Sequence, residues 1–344
     1  MVSLRALKEQ GFSELIVEDD GIGMAEHILA GPLIEFGKSF WLSDEVQSEF
    51  PGLISAKLRQ TGRFGIGFFS ILMVAERILV TSPRWDAGLD QARSLLFREG
   101  LRLRPLMSEA RGPSLNQFST RVALKISSRN ADQLNIAFEH PHNQFTVTLK
   151  ELVAHLCPCL DCDVFVQESE GPLELAHSQT WNESDPGQWV RDIVWAQARQ
   201  NQSLDEYLAK AAKLMRVVEG PDGEPCGRAA IGFGKLESGI DSVGGFASSQ
   251  HSRLVGSFSQ VYIGALGFEP DGLRRGTGPQ FASKAKIEAW ASEQATLVAQ
   301  LEVNDLEKYL AAMNVAAFGG DPTPIARILV NREVQTLQSR SGKI

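Results

Sequence analysis

The sequence predicts an α+β protein that is divided into two domains. Its 344 residues exceed what one hydrophobic core usually supports. Residues 120–127 alternate between two faces as a half-buried strand does, whereas residues 283–316 are rich in the Ala, Glu, Leu and Lys typical of helices. Both patterns recur along the chain, so we expect mixed secondary structure in each half.

The first half begins with a short strand and a turn. Residues 13–18 hold the apolar run of a buried strand, and the acidic glycine segment 19–21 ends it. Residues 31–62 mix Gly, Pro, Ser and aromatic residues without a sustained period, which predicts an irregular excursion. Residues 68–75 then predict an apolar helix that leads to a strand at 77–81.

A polar segment separates the two halves. Residues 149–156 predict a helix and residues 163–166 a strand. The next segment, 168–188, carries Glu, Ser, Pro, Gly and Asn with little apolar content, which predicts a linker. We therefore expect a first domain at 1–167 and a second, α+β domain at 189–344.

The second half predicts helix, then sheet, then helix. Residues 189–218 have a helical pattern, and residues 227–268 are rich in glycine and in residues that favour strands. Residues 283–316 return to helix. This pattern defines a fold class for the second domain and leaves its role open.

Charge and apolar content restrict the classes of function. The chain has 34 Lys and Arg against 42 Asp and Glu, a formal charge of −8, so we expect no nucleic-acid partner. The longest apolar-or-small run, residues 64–75, is shorter than the about 20 residues that cross a bilayer, so we expect no membrane partner. The first ten residues lack a secretory apolar core, and four cysteines are too few for a disulfide framework. These features favour a cytoplasmic protein.

Two glycine motifs are candidates for a functional site. Residues 19–24 (DDGIGM) follow a strand, and residues 62–68 (GRFGIGF) open an apolar helix. Each is ambiguous alone, because Asp-Gly turns are common and glycines at a helix start also permit close packing. However, three glycines before a helix let backbone amides surround an anion near the positive end of the helix dipole. A phosphate group fits that arrangement.

Two familiar phosphate-binding loops do not fit the sequence. A P-loop needs four residues between its first glycine and Gly-Lys-Ser, but five separate Gly31 from Gly37, with Pro32 among them. A dinucleotide fingerprint that begins at Gly21 would place Glu26 at its third small position, where a carboxylate would repel a pyrophosphate. We set both aside.

In combination, the motifs resemble the GHKL ATPase superfamily, named for gyrase, heat-shock chaperone, histidine kinase and MutL. In order, the motifs are DDGIGM at 19–24, FGKSF at 36–40, TGRFGIGFFSILMVAERILVTS at 61–82 and STRVALKI at 119–126. The residues of these motifs are most similar to those of the ninety-kilodalton heat-shock chaperone branch, which is HtpG-like. The resemblance is strong over residues 12–128 and weak to 167. It implies a two-layer α/β sandwich, with helices on one face of a mixed, mostly antiparallel sheet.

The resemblance also implies an adenine-nucleotide site beneath a lid formed by residues 25–61. Asp19 would accept a hydrogen bond from the exocyclic amine of adenine, Gly23 would let the base approach the backbone, and Met24 would pack on the base. The other implied contacts are Lys38 to the phosphates, Thr120 to the base through water, and the phosphate-binding segment with Gly62, Gly65, Ile66, Gly67 and Phe68. A core methionine, a surface lysine and an ordinary strand threonine are the plain alternatives for three of these residues.

The chain departs from the family where catalysis would occur. The family has a helix before the first motif, with a Glu that activates water and an Asn that holds Mg²⁺. Here 18 residues precede Asp19, and the first asparagine is Asn116. We therefore name no general base and no protein ligand for the Mg²⁺ that the resemblance implies. Either Met1 is an internal methionine of a longer protein, or the chain binds ATP with slow or absent hydrolysis.

The resemblance favours an ATP-binding, chaperone-like protein in which lid closure controls the second domain. A protein client and a homodimer are the further partners that it implies. A regulatory or defence-type module, with an effector partner bound through the second domain, is the alternative. A histidine kinase, which would need a phospho-acceptor helix, and a structural role without nucleotide are two weaker possibilities.

One further cluster has the composition of a metal site. Residues 155–162 (HLCPCLDC) combine one histidine with three cysteines. No second Cys or His pair follows at zinc-finger spacing, so we interpret the thiols as structural and expect no metal site there.

Overall fold

The chain forms two compact units. The computed structural model describes residues 1–7, 11–38, 40–43, 46, 49–50, 52, 65–100, 102–112, 114–127, 148–198, 203–234, 245–249, 252–259, 261–271 and 276–341. One unit comprises Met1–Leu152 with Val164–Ala176, and the other comprises Val153–Asp163 with His177–Ile344.

The first unit contains a large mixed sheet with short helices. Its elements are β1 (Val2–Ala6), β2 (Phe12–Asp19), α1 (Glu26–Ala30), α2 (Gly67–Ile71), β3 (Ala75–Ser82), β4 (Arg93–Arg98), β5 (Leu106–Glu109), β6 (Thr120–Ser127), α3 (Leu149–Leu156), β7 (Val164–Glu168) and β8 (Glu174–His177), with 3₁₀ turns at Phe40–Leu42 and Leu89–Gln91. The partition between the units falls within α3 and at the end of β8.

Among the described residues, eight strands pair in the order β5-β4-β3-β6-β2-β1-β7-β8. The strands β2 and β6 pair antiparallel along their whole length, from Phe12 opposite Ser127 to Asp19 opposite Thr120. The strand β6 also pairs antiparallel with β3, and β1 pairs parallel with β7. The predicted strands at 13–18, 77–81 and 120–127 are confirmed.

The core of this sheet lies under α1 and α2. Leu29 of α1 is fully buried against Ile78, Phe97 and Ile126 of the sheet, and Phe68 of α2 packs on the same cluster. Helices on one face of a mixed sheet are compatible with a two-layer α/β sandwich. The predicted α+β class is therefore confirmed.

The helix predicted at 68–75 is shorter than expected. The helix α2 ends at Ile71, and Ala75 already begins β3, where it pairs with Ile126. An apolar run alone does not distinguish helix from buried strand. Pairing with β6 therefore decides where the strand begins.

The second unit combines another sheet with a group of helices. Its elements are α4 (Pro186–Ala198), α5 (Ser203–Leu214), β9 (Arg216–Glu219), β10 (Pro225–Ile231), β11 (Gly245–Ser249), β12 (Ser252–Ser259), β13 (Tyr262–Asp271), β14 (Gly276–Gln280), α6 (Lys284–Gln300), α7 (Asp305–Ala317) and α8 (Thr323–Ser341). The strands pair in the order β12-β11-β13-β10-β9, and β14 pairs with β13. The segment 168–188, which the sequence predicts to be a linker, contains β8 and the start of α4.

Local sequence signals define the starts of two helices in the second unit. Ser283 caps α6 by accepting a hydrogen bond from the Lys286 amide, and Asn304 forms a reciprocal capping box with Glu307 at the start of α7. Of the described helices, none is both long and apolar enough to cross a membrane.

A buried glutamine connects α6 to the sheet of the second unit. The Gln294 side chain is fully buried; its Oε1 accepts from the Ile231 amide at 3.0 Å, and its Nε2 donates to the Leu214 carbonyl at 2.8 Å. Two backbone groups that would otherwise lie unpaired in the core are satisfied by this one side chain.

We expect Gln294→Met to lower the free energy of unfolding by about 2–4 kcal/mol, because it leaves both buried backbone groups unpaired at nearly unchanged volume. Urea unfolding followed by circular dichroism measures the change. Lys284→Met, on the same helix with a side chain 90% exposed, is the control and should shift stability by less than about 0.5 kcal/mol. Equal shifts in the two variants would contradict this account.

Candidate functional site

The end of β2 and the start of β6 bring two predicted site residues together. Asp19 and Thr120 are direct cross-strand partners, and the Ser119 amide donates to the Asp19 carbonyl at 2.7 Å. The Asp19 side chain is exposed and Thr120 is half-buried. A carboxylate-bearing residue and a hydroxyl-bearing residue thus lie opposite each other where the two central strands β2 and β6 meet at their ends.

The loop after β2 is shaped by Asp19 and by a glycine. The Asp19 carboxylate accepts from the Gly21 amide at 3.0 Å, which closes a local turn. Gly23 has φ +68°, and a Cβ there would lie 2.1 Å from the Pro83 carbonyl oxygen. Both the backbone conformation and the close approach of the loop after β3 therefore require glycine at this position.

Ser82 is a residue of this site that sequence reasoning missed. Its side chain is almost fully buried. The hydroxyl accepts from the Met24 amide at 2.7 Å, donates to the Ser119 carbonyl at 2.8 Å, and lies 3.4 Å from the Thr120 hydroxyl. Ser82 stands in the motif at 61–82, but nothing in the spacing of that motif distinguishes it from a plain strand residue.

The second glycine segment packs against the excursion that precedes it. Gly65 has φ +60°, and a Cβ there would lie 2.1 Å from the Lys38 carbonyl oxygen. The Gly37 amide donates to the Gly65 carbonyl at 3.2 Å. Ile66 precedes the first residue of α2, Gly67, and Gly62 lies outside the described residues.

The predicted phosphate lysine makes a local ion pair. The Lys38 ammonium lies 3.0 Å from the Glu35 carboxylate, and both side chains are about half exposed. Exposed pairs of this kind contribute little to stability. The contact of Lys38 with phosphate therefore stays a prediction. In this structure its ammonium pairs with Glu35.

The two glycine motifs share one apolar support. Met24 and Phe68 both pack on the cluster that contains Ile78 and Phe97, and the Phe68 and Phe97 rings are 5.3 Å apart between centroids. The predicted site residues thus form two groups, one around Ser82 and one around Gly65, which rest on the same hydrophobic core.

The excursion at 25–61, which the sequence predicts to be a lid, is described in part. Glu26 of α1 accepts from Arg93 of β4 at 2.8 Å. Glu49 bonds to both His27 and Arg84. The Glu26 bond connects the excursion to β4, the Arg84 bond connects it to the loop after β3, and the His27–Glu49 bond lies within the excursion itself.

Arg84 is a second residue that sequence reasoning missed. Its pKa is raised above the ordinary value, first by the hydrogen bond to Asp86 and further by the one to Glu49, against a lowering by burial. The residue lies two positions after the end of β3, and no periodicity or motif distinguished it. Neither here nor in any other part of the described chain do three His, Cys, Asp or Glu side chains cluster as a metal ion would require.

Comparison with known proteins finds local similarity to bacterial chaperones. The chain is 36% identical to chaperone protein HtpG of Methylobacterium sp. (strain 4-46) over 95 residues, which is 26% of this chain and 14% of the relative. It is 34% identical to HtpG of Gluconobacter oxydans (strain 621H) over 96 residues, with the same coverage. It is 29% identical to HtpG of Chlorobaculum tepidum over 120 residues, or 33% of this chain and 18% of that relative.

These matches support an HtpG-like relationship of part of the chain. They span 14–18% of the length of the relatives. A comparison with models of protein families gives no match. The similarity therefore bears on a local segment, and the activity of a whole chaperone is not transferred by it.

We expect Ser82→Ala to lower the free energy of unfolding by about 1–3 kcal/mol, since the Met24 amide and the Ser119 carbonyl both lose a buried partner. Urea unfolding measures the loss. Ser108→Ala, on the exposed side of β5, is the matched control and should be nearly silent. A silent Ser82→Ala would show that the hydroxyl does not hold the loop in place.

Proposed function

We propose that the chain binds an adenine nucleotide at the junction of β2, β3 and β6. The observation that carries the proposal is the convergence of Asp19, Thr120 and the Met24 amide through the Ser82 hydroxyl. The local similarity to HtpG chaperones supports the choice of an ATP-type ligand.

In this proposal Asp19 reads the base. A carboxylate oxygen accepts more than one hydrogen bond, so the bond to the Gly21 amide leaves capacity for the exocyclic amine of adenine. Thr120 contacts the base through water, and Met24 supplies an apolar surface for the ring. Asp19 is exposed to solvent, which permits a ligand to reach it.

The phosphates are assigned to the second group of residues. Backbone amides at Gly65, Ile66, Gly67 and Phe68 provide donors, together with the segment at Gly62, and Lys38 provides a positive charge once it leaves Glu35. The positive φ of Gly65 supports a backbone turned sharply enough to curl around an anion.

The proposal also covers the Mg²⁺ that accompanies ATP and the rate of ATP hydrolysis. A nucleoside triphosphate in the cell is accompanied by Mg²⁺, which prefers oxygen ligands and keeps several waters. The described residues offer no cluster of carboxylates for it, so we propose that Mg²⁺ enters with the nucleotide and assign it no protein ligand. We propose slow or absent hydrolysis in this chain.

The biological role that we propose is chaperone-like. Nucleotide binding would close the excursion over the site and alter how the second unit engages a protein client, with a homodimer as the acting form. The HtpG similarity supports this role. A regulatory module with an effector partner is the competing role, because the match to HtpG of Chlorobaculum tepidum covers 33% of the chain, so it gives the chaperone role no support from the rest.

We expect adenine nucleotides to raise the midpoint of thermal unfolding and GTP to have no such effect. At about 100 times the dissociation constant, a ligand stabilises the folded state by about 2.7 kcal/mol. Differential scanning fluorimetry with Mg-ATP, Mg-ADP and Mg-GTP measures the shift.

Asp19→Asn should abolish the response, because an amide presents a donor as well as an acceptor to the base. Asp20→Asn is the matched control, since Asp20 is the next residue and is equally exposed; its response should equal that of the original chain. An unchanged response of Asp19→Asn, or stabilisation by GTP as large as by ATP, would refute the base-reading pocket.

A chaperone-like role predicts that the chain slows the aggregation of a heat-denatured client at equimolar concentration, and that Mg-ATP changes this effect. Light scattering of heated citrate synthase provides the measurement. Asp19→Asn should keep any nucleotide-independent protection and lose the ATP effect. Complete failure to protect, together with intact ATP binding, would favour the regulatory role.

A further inference from the structure

A row of cations crosses three neighbouring strands of the first unit's sheet. Lys125 of β6 lies directly opposite Arg77 of β3, and Arg77 lies directly opposite Arg98 of β4. We define these three residues as the basic row. Three like charges thus stand side by side on adjacent strands.

The basic row lies on the opposite face of the sheet from the core under α1 and α2. Ile78, Phe97 and Leu124, each next to a member of the row in the chain, pack in that core. Successive side chains of a strand point to opposite faces, so the row points away from the core. Thr120 lies four residues before Leu124 on β6 and shares the core side. The row and the proposed nucleotide site therefore lie on different faces.

The two arginines of the row are accessible to a partner. Arg77 and Arg98 are exposed, whereas Lys125 is half-buried. The Lys125 ammonium lies 4.0 Å from the centre of the Phe12 ring, within the range of a cation–π interaction. In the part of the chain that the structure describes, Arg77 and Arg98 form no ion pair. Their guanidinium groups therefore keep donors for a ligand.

An acidic residue adjoins the row at its Lys125 end. Glu14 of β2 is the direct cross-strand partner of Lys125. Its carboxylate accepts a hydrogen bond from Arg5 Nε of β1 at 2.8 Å. Glu14 therefore balances the charge of Arg5, and the positive charge of the row is not neutralised by it.

The connection between β4 and β5 adds charge next to the row. Arg102 and Arg104 are exposed there, and so is Glu99. Glu76, near the start of β3, is exposed as well. The two arginines offset these two acids, so an excess of positive charge remains at this end of the sheet.

The arrangement has a cost in stability that a bound anion would remove. Like charges on direct cross-strand partners destabilise a sheet. An anion on the row screens this repulsion and accepts charge-assisted hydrogen bonds, which guanidinium groups form bidentately with carboxylates. The row is therefore better suited to an occupied surface than to a bare one.

The dimensions of the row fit a short acidic polypeptide. Neighbouring strands lie about 4.8 Å apart, so three strands span about 10 Å, and side chains on one face of an extended peptide recur about every 7 Å. Two or three carboxylates of such a segment are enough to neutralise the row.

Two features disfavour nucleic acid as the partner. Its charge continues along the whole strand, and the chain's formal charge of −8 would repel it beyond the row. Single strands also need aromatic rings on which bases stack, but the ring that adjoins the row, Phe12, is already in contact with Lys125.

We propose that the basic row docks an acidic segment of a protein partner, with Arg77 and Arg98 bound to its carboxylates and Lys125 beside them. This surface goes beyond the proposed nucleotide site, since it lies on the other face of the sheet and needs no nucleotide. It makes acidic charge the feature by which a partner is recognised.

Fluorescence polarisation with a labelled hexaglutamate peptide at low salt tests the surface. The full chain should bind this peptide and should not bind hexaglutamine, and added salt should weaken the binding by screening. Arg77→Gln and Arg98→Gln should each weaken it about threefold, as expected for exposed charge pairs. The double variant should weaken it about tenfold, which corresponds to about 1.4 kcal/mol.

Arg111→Gln is the matched control, because it removes the same charge from an exposed side chain. Arg111 pairs with Glu109, which lies opposite Arg93 at the other end of β4 from Arg98. This variant should leave the affinity for hexaglutamate unchanged. Circular dichroism of each variant verifies that it is folded.

Three outcomes would overturn the proposal. The first is that the full chain does not bind hexaglutamate. The second is that Arg111→Gln weakens binding as much as Arg77→Gln does, since the peptide would then respond to overall charge. The third is that an oligothymidylate with six phosphates binds more tightly than the peptide and is lost in the same variants, which would assign the row to nucleic acid. The titration contains no nucleotide, so its failure is distinct from a failure of the proposed nucleotide site.

Discussion

The buried hydroxyl of Ser82 is the interaction on which the candidate site depends. It lies where β3 ends and bonds both to the loop after β2 and to Ser119, which precedes β6, close to Thr120 at the start of that strand. A hydroxyl has one donor and two acceptor positions, and here both functions are used in a place closed to water. Without it, the Met24 amide and the Ser119 carbonyl would be buried without this partner, and the three segments would lose their common point of attachment.

Around that hydroxyl, close backbone contacts define the shape of the loops. The Gly23 loop lies directly against the Pro83 carbonyl, and Gly65 lies directly against the Lys38 carbonyl. At both positions any side chain would overlap backbone atoms, and both residues have positive φ. The glycines therefore allow two loops to pack tightly on their neighbours. A nucleotide that approaches the backbone closely would likewise require positions without a side chain.

The candidate site residues were named from the family resemblance, which did not predict their connections. The structure adds that Asp19 and Thr120 are partners on adjacent strands and that Met24 and Phe68 pack on one core, while their role in binding stays a prediction. Ser82 and Arg84 were missed because they act across long separations. The bond from Met24 to Ser82 joins residues 58 apart, and the bond from Arg84 to Glu49 joins residues 35 apart. Such bonds leave no period in the sequence.

The sequence by itself determined the α+β class, the strands at 13–18, 77–81 and 120–127, and the positions of the glycine motifs, because these depend on local pattern and backbone freedom. The tertiary structure decided the order of the strands, the early end of α2 and the partners of Ser82, Arg84 and Gln294. Each of these depends on a requirement that polar groups far apart in the sequence satisfy one another once a core is buried, through backbone groups at Ser82 and Gln294 and through a side chain at Arg84. That requirement exists only in the folded chain.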